Sequence, residues 1–347
     1  MRFLLLNPFD AFAGSQRVAT DTISRLTEAG HYVSVRLGFG GGGFLSNLSI
    51  TATDFDVSNV SIRKLLYPLW ALLVGLPVAM AVLRGRIVWA NTVYAAPPAF
   101  LAAMLCPSRV VIHLHEANFS KLFLPVLRLM VRRGVRLLCV SADHASRIGL
   151  PATILYNSVP LPTEDAESAC DRLLFVGTTQ AMKGLALFVA VCEMLRSLPL
   201  RKAAYLSDEA RHDVGLVERA RRAGVDLVFN ESDPEVLYRD GFLLLQATDP
   251  MQWTETFSLV AVEAIARQVP VASAGTTVLQ EVLGEALAFD VPSRDPVVIA
   301  DLIRLLHADQ DRYQNIRAAC ARRRTAFSED AFRHRLEELL LQIDRSV

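Results

Sequence analysis

The sequence has few cysteines, and they form no recognisable pattern. Cys106, Cys139, Cys170, Cys192 and Cys320 lie far apart, and no two of them are spaced as Cys-x-x-Cys. This spacing is typical neither of a disulfide framework nor of a structural zinc site. We therefore expect a protein of a reducing compartment, and the cytoplasm fits best.

Signals for export and for nucleic-acid binding are also absent. The chain runs from Met1 directly into the apolar run 3–6, which is too short for a secretory signal and predicts a buried strand. No stripe of basic residues interleaved with aromatic residues occurs, and the formal net charge is zero. We therefore expect neither export nor a nucleic-acid partner.

The charges are nevertheless unevenly distributed along the chain. Residues 1–160 carry 15 Lys and Arg against 7 Asp and Glu, whereas the remainder carries 21 against 29, so the two halves have net charges of +8 and −8. This balance predicts that the first half meets an anionic partner, either a membrane surface or a phosphorylated acceptor.

Alternating apolar runs and helical stretches indicate two α/β domains. A chain of 347 residues with 52% hydrophobic content is longer than one core usually supports. Short strands separated by segments of helix length are typical of βαβ units and a doubly wound parallel sheet. The predicted strands are 3–6, 32–37, 87–90, 110–114 and 137–140, and then 172–176, 203–206, 227–229, 242–246, 269–273 and 286–289.

The predicted domain boundary follows the change of charge sign. The segment 156–162 and the acidic residues 164–167 have the composition of a linker. We therefore predict Rossmann-like domains over 1–158 and 169–327. The remaining segment, 328–347, is predicted to be a helix that packs back on the first domain.

Two segments of the first half combine apolar and basic residues. The apolar run 65–83 is long enough to span a bilayer, but Pro68 and Pro77 interrupt it and it stands where a parallel sheet needs a crossover helix. We expect a helix that is buried or lies against a membrane, and a span is the alternative. Segment 121–136 reads as a basic amphipathic helix at a membrane or, alternatively, as a solvated helix.

The strongest constellation of polar residues lies in the segment 253–273, which reads as loop, helix, turn and buried strand. Thr256 is the predicted N-cap of the helix, and this would leave the amides of Phe257, Ser258 and Leu259 open at a positive helix end. Such an end suits a phosphate group.

Two glutamates, Glu255 and Glu263, lie eight residues apart in the same segment. If most of the interval is helical, the two carboxylates are about 12 Å apart along the helix axis. One could then accept hydrogen bonds from a sugar and the other from a ribose, with a diphosphate between them. The alternative is a pair of exposed glutamates on a helix surface.

This region resembles glycosyltransferase family four, whose members have the GT-B fold and carry Glu-x7-Glu before an alanine-rich helix and a Pro-Val strand. Glu255 and Glu263 match that spacing, Phe257 stands at its expected place, and Ser258 replaces the usual glycine. The likeness extends over nearly the whole chain and suggests the bacterial surface-polysaccharide type. It implies two facing Rossmann-like domains, of which the second binds a nucleotide sugar and the first an acceptor.

The start of the second domain also resembles the family, in which a strand ends in Val-Gly-Arg and a Lys-Gly follows. Gly177 and Lys183 are at the expected positions, but Thr178 replaces the arginine. The resemblance implies that these residues bind the donor phosphates and that one of two cations is missing. Either another arginine such as Arg17 reaches in, or the donor carries less phosphate charge, or catalysis is weak.

Two features of the first domain match the family as well. Gly14 and Arg17 lie in a loop similar to its glycine loop, although a simple tight turn explains Gly14 equally well. His115 stands where the family has a cleft histidine that touches the transferred sugar, next to the acidic Glu116. The alternatives are a buried structural histidine or a metal site with His113, for which a third ligand is missing from the sequence.

The resemblance predicts a metal-independent, retaining glycosyltransferase without a cofactor. It would move a hexose-type sugar from a nucleotide sugar to a glycan or lipid-linked glycan in the synthesis of a cell-surface polysaccharide such as lipopolysaccharide. Its predicted catalytic residues are His115, Lys183 and Glu255, and its predicted location is the cytoplasmic membrane face, in peripheral contact with anionic lipid. The alternatives are a nucleotide-sugar epimerase of the same fold and a non-catalytic two-lobed binding protein.

Overall fold

The structure is a computed structural model that describes residues 1–40, 42–57, 59–163, 169–207, 213–291 and 293–345. The chain divides into two compact units, one formed by Met1–Ser158 with Phe332–Val347 and the other by Val159–Ala331. The acidic residues 164–167 of the predicted linker lie outside the described residues.

The first unit is built on a seven-stranded parallel sheet. Its spatial order is β3-β2-β1-β4-β5-β6-β7, and the central strands are buried on both faces, as parallel strands covered by helices are. The strands are β1 (Arg2–Phe9), β2 (Tyr32–Gly40), β3 (Thr51–Asp56), β4 (Ile87–Asn91), β5 (Val110–Leu114), β6 (Arg136–Cys139) and β7 (Thr153–Ile154).

The two strands that the sequence did not predict are the edges of this sheet. β3 is half-exposed along most of its length, and β7 has only two residues. An edge strand pairs with another strand along only one of its two edges and is less completely buried. Its residues therefore need not form a continuous apolar run. The five predicted strands are all present and form the centre of the sheet.

Five helices of the first unit follow these strands in sequence. They are α1 (Gly14–Glu28), α2 (Val60–Leu83), α3 (Ala96–Leu105), α4 (Phe123–Arg132) and α5 (Ala142–Ile148).

The predicted crossover helix over 65–83 is present as part of α2, which continues through both of its prolines. Pro68 and Pro77 are exposed. The carbonyl groups that lose their backbone partner therefore lie on the outer side of the helix, where water can bind them. Among the described residues, α2 is the one helix that is long and apolar enough to cross a membrane, and a third of its apolar window is buried.

The second unit has a six-stranded parallel sheet in the order β10-β9-β8-β11-β12-β13. All six predicted strands are present. They are β8 (Arg172–Gly177), β9 (Arg201–Leu206), β10 (Val225–Phe229), β11 (Gly241–Gln246), β12 (Val271–Ser273) and β13 (Leu287–Asp290). The helices are α6 (Leu185–Met194), α7 (Val214–Arg222), α8 (Pro234–Leu237), α9 (Leu259–Ala266), α10 (Val278–Leu283), α11 (Pro296–Ala308) and α12 (Gln310–Arg323).

The last helix, α13 (Glu329–Asp344), packs on the first unit. Phe332, Leu336 and Leu340 are buried in the core that contains Phe3 and Leu5 of β1. The helix therefore covers one face of the first sheet and ties the end of the chain to its beginning.

Candidate functional site

Two loops of the second unit meet at the carboxyl edge of its sheet. β8 and β11 are neighbours, so the loops that follow them leave the same edge, where open α/β sheets bind their ligands. Gly184 makes the approach close, since a Cβ atom there would lie 2.0 Å from the Ala247 oxygen, and its φ of 82° also requires glycine. The Asp249 amide donates to the Met182 oxygen at 2.8 Å and fixes the two loops together.

This contact brings together Lys183 and Glu255, which the sequence placed 72 positions apart. The Lys183 Nζ atom lies 2.8 Å from Glu255 Oε1 and 5.4 Å from the centre of the exposed Trp253 ring. The two charged side chains are 29% and 11% exposed. The cation and the carboxylate are therefore already paired at a site that solvent and a ligand can reach.

A chain of hydrogen bonds runs beneath this ion pair. The Ser258 hydroxyl donates to Gln246 Oε1 at 3.3 Å, and Gln246 Nε2 donates to Thr248 Oγ1 at 3.0 Å. Thr248 in turn donates to Glu255 Oε1 at 3.3 Å. Each side chain in this series of hydrogen bonds donates to the next, so Glu255 is the final acceptor. Its Oε1 atom accepts from both Thr248 and Lys183.

Sequence reasoning missed Gln246 and Thr248. A signal was present, because Gln246 is the first polar residue after an apolar run at the carboxyl end of a predicted parallel strand. Both side chains are buried, so their polar atoms need partners inside the protein.

Helix α9 begins later than predicted, and its N-cap is Ser258 rather than Thr256. Ser258 has extended backbone angles, and its hydroxyl accepts a hydrogen bond from the Ala261 amide at 3.2 Å. The first turn of the helix thus leaves the amides of Leu259 and Val260 without intrahelical acceptors. Ser258 is buried and its hydroxyl is used inside the protein, so its side chain does not project outward.

The two glutamates are not exposed residues of one helix, so that alternative is wrong. Glu255 precedes the helix, and the 12 Å separation along a helix axis therefore does not apply. Glu263 lies within α9 and is 4% exposed. The Tyr238 hydroxyl, which sequence reasoning missed, lies 3.2 Å from Glu263 Oε2 and 3.0 Å from the Val260 oxygen.

The other predicted donor-site residues lie around the same edge. Gly177 ends β8, and the Thr178 hydroxyl accepts a hydrogen bond from the Gln180 amide at 3.2 Å in the turn that leads to Lys183. Phe257 is buried and packs edge-on against Phe327 at 5.8 Å. Phe257 therefore anchors the loop in the core of the unit.

A further cation touches the loop after β11, and sequence reasoning did not identify it. The Arg294 Nη1 atom donates to the oxygens of Ala247 and Thr248, both at 2.8 Å. Its φ of 53° places it in the left-handed region. Arg294 thus holds the loop that carries Thr248 and supplies positive charge to this edge of the sheet.

In the first unit, Asn91 connects the carboxyl ends of three adjacent strands. Its Nδ2 atom donates to Asn7 Oδ1 at 2.9 Å and to the Ser15 oxygen at 3.2 Å, and its Oδ1 atom lies 2.9 Å from His115 Nε2. Gly14 is the first residue of α1, and Arg17 lies one turn further along. The start of α1 and His115 are therefore brought together by two asparagines that sequence reasoning missed.

His115 is a neutral imidazole in this environment. Burial lowers its pKa well below the usual range, and the nearby rings of His113 and His144 lower it further. The Asn91 amide nitrogen already donates twice, so its oxygen accepts and the His115 proton lies on Nε2. The ring is thus held in one tautomer and one orientation.

The neighbouring residues are structural partners of this histidine. Burial lowers the pKa of His113 to about 3, and its ring centre lies 4.2 Å from that of His115. Burial raises the pKa of Glu116, while amide hydrogen bonds from Val93 and His115 oppose the shift. The described part of the chain contains no group of three or more His, Cys, Asp or Glu side chains that could hold a metal ion.

The loop after β5 also borders a cavity of about 520 Å³. Lys121 supplies positive charge to its wall, Arg147 is paired with Asp143, and Asn118, Ser120 and Tyr94 supply polar groups. The cavity has room for a sugar-sized ligand, and its charge suits an anionic group.

No family model and no curated protein sequence matches the chain, but solved structures do. HepE of Anabaena in complex with UDP has a TM-score of 0.77 and 17% identity, over 98% of this chain and 99% of that one. Sucrose-phosphate synthase of Thermosynechococcus elongatus has a TM-score of 0.77 and 17% identity over 100% of both chains. A glycosyltransferase of Rickettsia africae has a TM-score of 0.78 and 15% identity, over 99% of this chain and 98% of that one.

These likenesses extend over whole chains and include both parallel sheets. The two Rossmann-like units therefore have the GT-B fold.

Proposed function

We propose that this protein is a retaining glycosyltransferase of family four that transfers a hexose-type sugar from a nucleotide sugar to a glycan or lipid-linked glycan. The observation that carries the proposal is the Lys183–Glu255 pair at the carboxyl edge of the second sheet, beside the start of α9. The structures of HepE with UDP and with UDP-glucose support a donor of this class.

The charged pair suits the departure of a nucleoside diphosphate. The Lys183 ammonium can move from Glu255 towards the diphosphate and stabilise the negative charge that develops on it during transfer. Glu255 stays anchored by Thr248 through Oε1, which leaves Oε2 directed to other donors such as the hydroxyls of the transferred sugar. Arranged in this way, one pair serves both the leaving group and the sugar.

The start of α9 completes the proposed donor site. The open amides of Leu259 and Val260 lie at the positive end of the helix dipole and suit a phosphate oxygen. Glu263 is the proposed acceptor for the ribose hydroxyls, with Tyr238 orienting its carboxylate. Because Thr178 provides no charge, Lys183, the helix amides and Arg294 would share the work that two cations do elsewhere in the family.

We propose that no metal ion or other cofactor takes part. Amide groups and cations aimed at the diphosphate can stabilise the leaving group without a Lewis acid. Retention of the anomeric configuration is proposed on the resemblance to family four alone.

The first unit is proposed to bind the acceptor. The neutral His115, oriented by Asn91, is proposed to contact a hydroxyl of the sugar. The cavity beside Lys121 suits an anionic group of a lipid-linked glycan. A location at the cytoplasmic membrane face, in the synthesis of a surface polysaccharide, agrees with the positive charge of residues 1–160.

A thermal-shift panel of nucleoside diphosphates and nucleotide sugars tests the donor site. A ligand present at a hundred times its dissociation constant stabilises the fold by about 2.7 kcal/mol. We expect one base to raise the unfolding temperature and a Lys183→Ala variant to lose that shift. If the panel leaves wild-type protein unchanged at millimolar concentrations, the proposed donor site is wrong.

A further inference from the structure

The two sides of helix α2 are unusually different. One side carries Trp70, Val74 and Val78, which are buried in the core of the first unit. The Trp70 Nε1 atom donates to Asp54 Oδ2 at 2.8 Å, and the Tyr67 hydroxyl donates to the Tyr94 oxygen at 2.7 Å. This inner side therefore fixes the helix firmly to the unit.

The other side is exposed and almost entirely apolar. An α-helix has 3.6 residues per turn, so eight residues of this side fall within an arc of about 100° when viewed down the helix axis. They extend about 30 Å along that axis. Leu65 and Leu72 are 78% and 77% exposed. We call this set the leucine face, and its members are Ile62, Leu65, Leu69, Leu72, Leu73, Leu76, Met80 and Leu83. A continuous apolar stripe of this length on a protein surface indicates an interaction site.

The topology excludes a membrane span for this helix. α2 leaves the sheet after β3 and returns to it at β4, and both strands run parallel in the same sheet. A spanning helix would place its two ends on opposite sides of a bilayer. It would also remove Trp70 and Val74 from the core. The leucine face can therefore contact lipid only from the side.

The charge around the helix favours an anionic surface as the occupant. Residues 57–142 contain ten Lys and Arg but one acidic residue, Glu116. Glu116 is half-buried, whereas Lys64 and Arg84 are exposed near the two ends of the leucine face. A second copy of the chain would bring two such positive segments together, which is unfavourable, whereas anionic headgroups would neutralise them.

We propose that the leucine face of α2 docks the protein on an anionic lipid bilayer, with the helix parallel to the membrane surface and its leucine side chains at the boundary of headgroups and acyl chains. This inference deepens the proposed function, because it assigns the membrane contact to one helix face. A lipid-linked acceptor would then meet the first unit at the bilayer surface. Tyr67 of α2 bonds to Tyr94, which borders the cavity, so the two features are neighbours.

Flotation with vesicles of phosphatidylcholine and phosphatidylglycerol tests the proposal on the full-length protein. The test variant is Leu65→Gln with Leu72→Gln, because glutamine keeps the helix and changes no charge. The matched control is Leu305→Gln with Leu341→Gln, which alters two leucines of similar exposure on α11 and α13. We expect the wild type and the control to float and the test variant to lose about a hundredfold in partitioning.

Several results would overturn the proposal. The proposal is wrong if the wild type does not float or if the test variant floats like the control. It is also wrong if the wild type stays with the vesicles after an alkaline wash, because this would mean that α2 spans the bilayer. A dimer in solution that only the test variant abolishes would assign the face to self-association. Circular dichroism confirms that each variant is folded. Calorimetry with the nucleotide found in the thermal-shift panel, without vesicles, separates failure of docking from failure of the donor site.

Discussion

The two units hold their polar residues at the carboxyl edges of their sheets in opposite ways. In the second unit, Lys183 and Glu255 are charged, paired and partly exposed. In the first unit, His113 and His144 are wholly buried, and burial lowers the pKa of each. A side chain can stay charged where an oppositely charged partner and solvent offset the cost of desolvation. Where burial removes both, the neutral form is favoured.

The difference suggests a division of roles. The charged pair of the second unit suits a diphosphate, which carries most of the charge in the proposed reaction, whereas the neutral His115 of the first unit suits a hydroxyl of a sugar. Each edge should therefore depend on its own charge state, and changes of pH or of single residues test this.

The largest effect is expected from acid on the first unit. His113 has a pKa of about 3 in the folded protein against an ordinary value of 6.5, so the unfolded chain binds a proton that the folded chain does not. The stability from its neutral form is complete above pH 6.5 and is lost as pH falls from 6.5 towards 3. The free energy of unfolding should fall by about 1.4 kcal/mol per pH unit for this one group.

Urea unfolding of a His113→Phe variant at several pH values checks this contribution. In the described structure neither ring nitrogen of His113 has a hydrogen-bond partner, so phenylalanine replaces the ring without loss of a bond and keeps the contact with Trp89. We expect a shallower acid slope than in the wild type and in a His334→Phe control on the exposed surface of α13. Identical slopes in all three proteins would show that His113 does not resist protonation.

The second effect is expected at the charged edge. Lys183→Ala removes a charge-assisted contact worth about 1.5 to 3 kcal/mol, so turnover should fall roughly tenfold to more than a hundredfold. The variant also leaves the Glu255 carboxylate without its cation, and that charge would repel the diphosphate. Steady-state kinetics and calorimetry measure both consequences.

Arg221→Ala is the matched control for Lys183→Ala, because it breaks an exposed ion pair with Glu218 on α7 of the same unit. Such a pair contributes little to stability. If the loss of Lys183 leaves donor affinity and turnover unchanged, the phosphates bind elsewhere.

Whether an element could be predicted from the sequence depends on how completely it is buried. Central strands such as β4 and β5 are continuous apolar runs because helices cover both of their faces, and they were found. The edge strand β3 exposes several of its residues and was missed. The helix over 65–83 was also found, and Pro68 and Pro77 do not end it, because a helix tolerates proline where the freed carbonyl faces water.

In the candidate site, residue types were predictable and contacts were not. The resemblance located Lys183 and Glu255, but only the crossing of two loops at Gly184 brings them within 2.8 Å. The N-cap of α9 was misplaced because Thr256 and Ser258 have similar capping preferences. The partner that favours Ser258 is Gln246, a buried residue twelve positions away.

The third prediction separates the two glutamates. Glu263→Ala should weaken binding of the free nucleoside diphosphate, because its proposed partner is the ribose. Glu255→Ala should act mainly on the sugar-bearing donor. Each loss should be about 1 to 3 kcal/mol, since a buried donor or acceptor loses its partner. Calorimetry with both ligands on both variants tests the division, and equal losses for the two ligands would contradict it.

Tyr238→Phe is the control for the Glu263 variant. It removes the hydroxyl that lies 3.2 Å from the Glu263 carboxylate but leaves that carboxylate in place. A smaller loss of diphosphate binding than in Glu263→Ala is expected. A loss of the same size would mean that the hydroxyl, rather than the carboxylate, meets the nucleotide.

The smallest effect is expected from Thr178→Arg, which places a cation at the end of β8 where the family that the sequence resembles has an arginine. The Thr178 hydroxyl makes one local contact, to the Gln180 amide, so little is lost when it is replaced. If Lys183 and the amides of α9 leave part of the diphosphate charge uncompensated, the new guanidinium should tighten donor binding by about 1 kcal/mol, roughly fivefold. If Arg294 already supplies that charge through the loop after β11, the substitution should be neutral in the wild type and beneficial in an Arg294→Gln background. Calorimetry on the two single variants and the double variant distinguishes these cases. Weaker donor binding in both backgrounds would mean that the site is complete without a second side-chain cation.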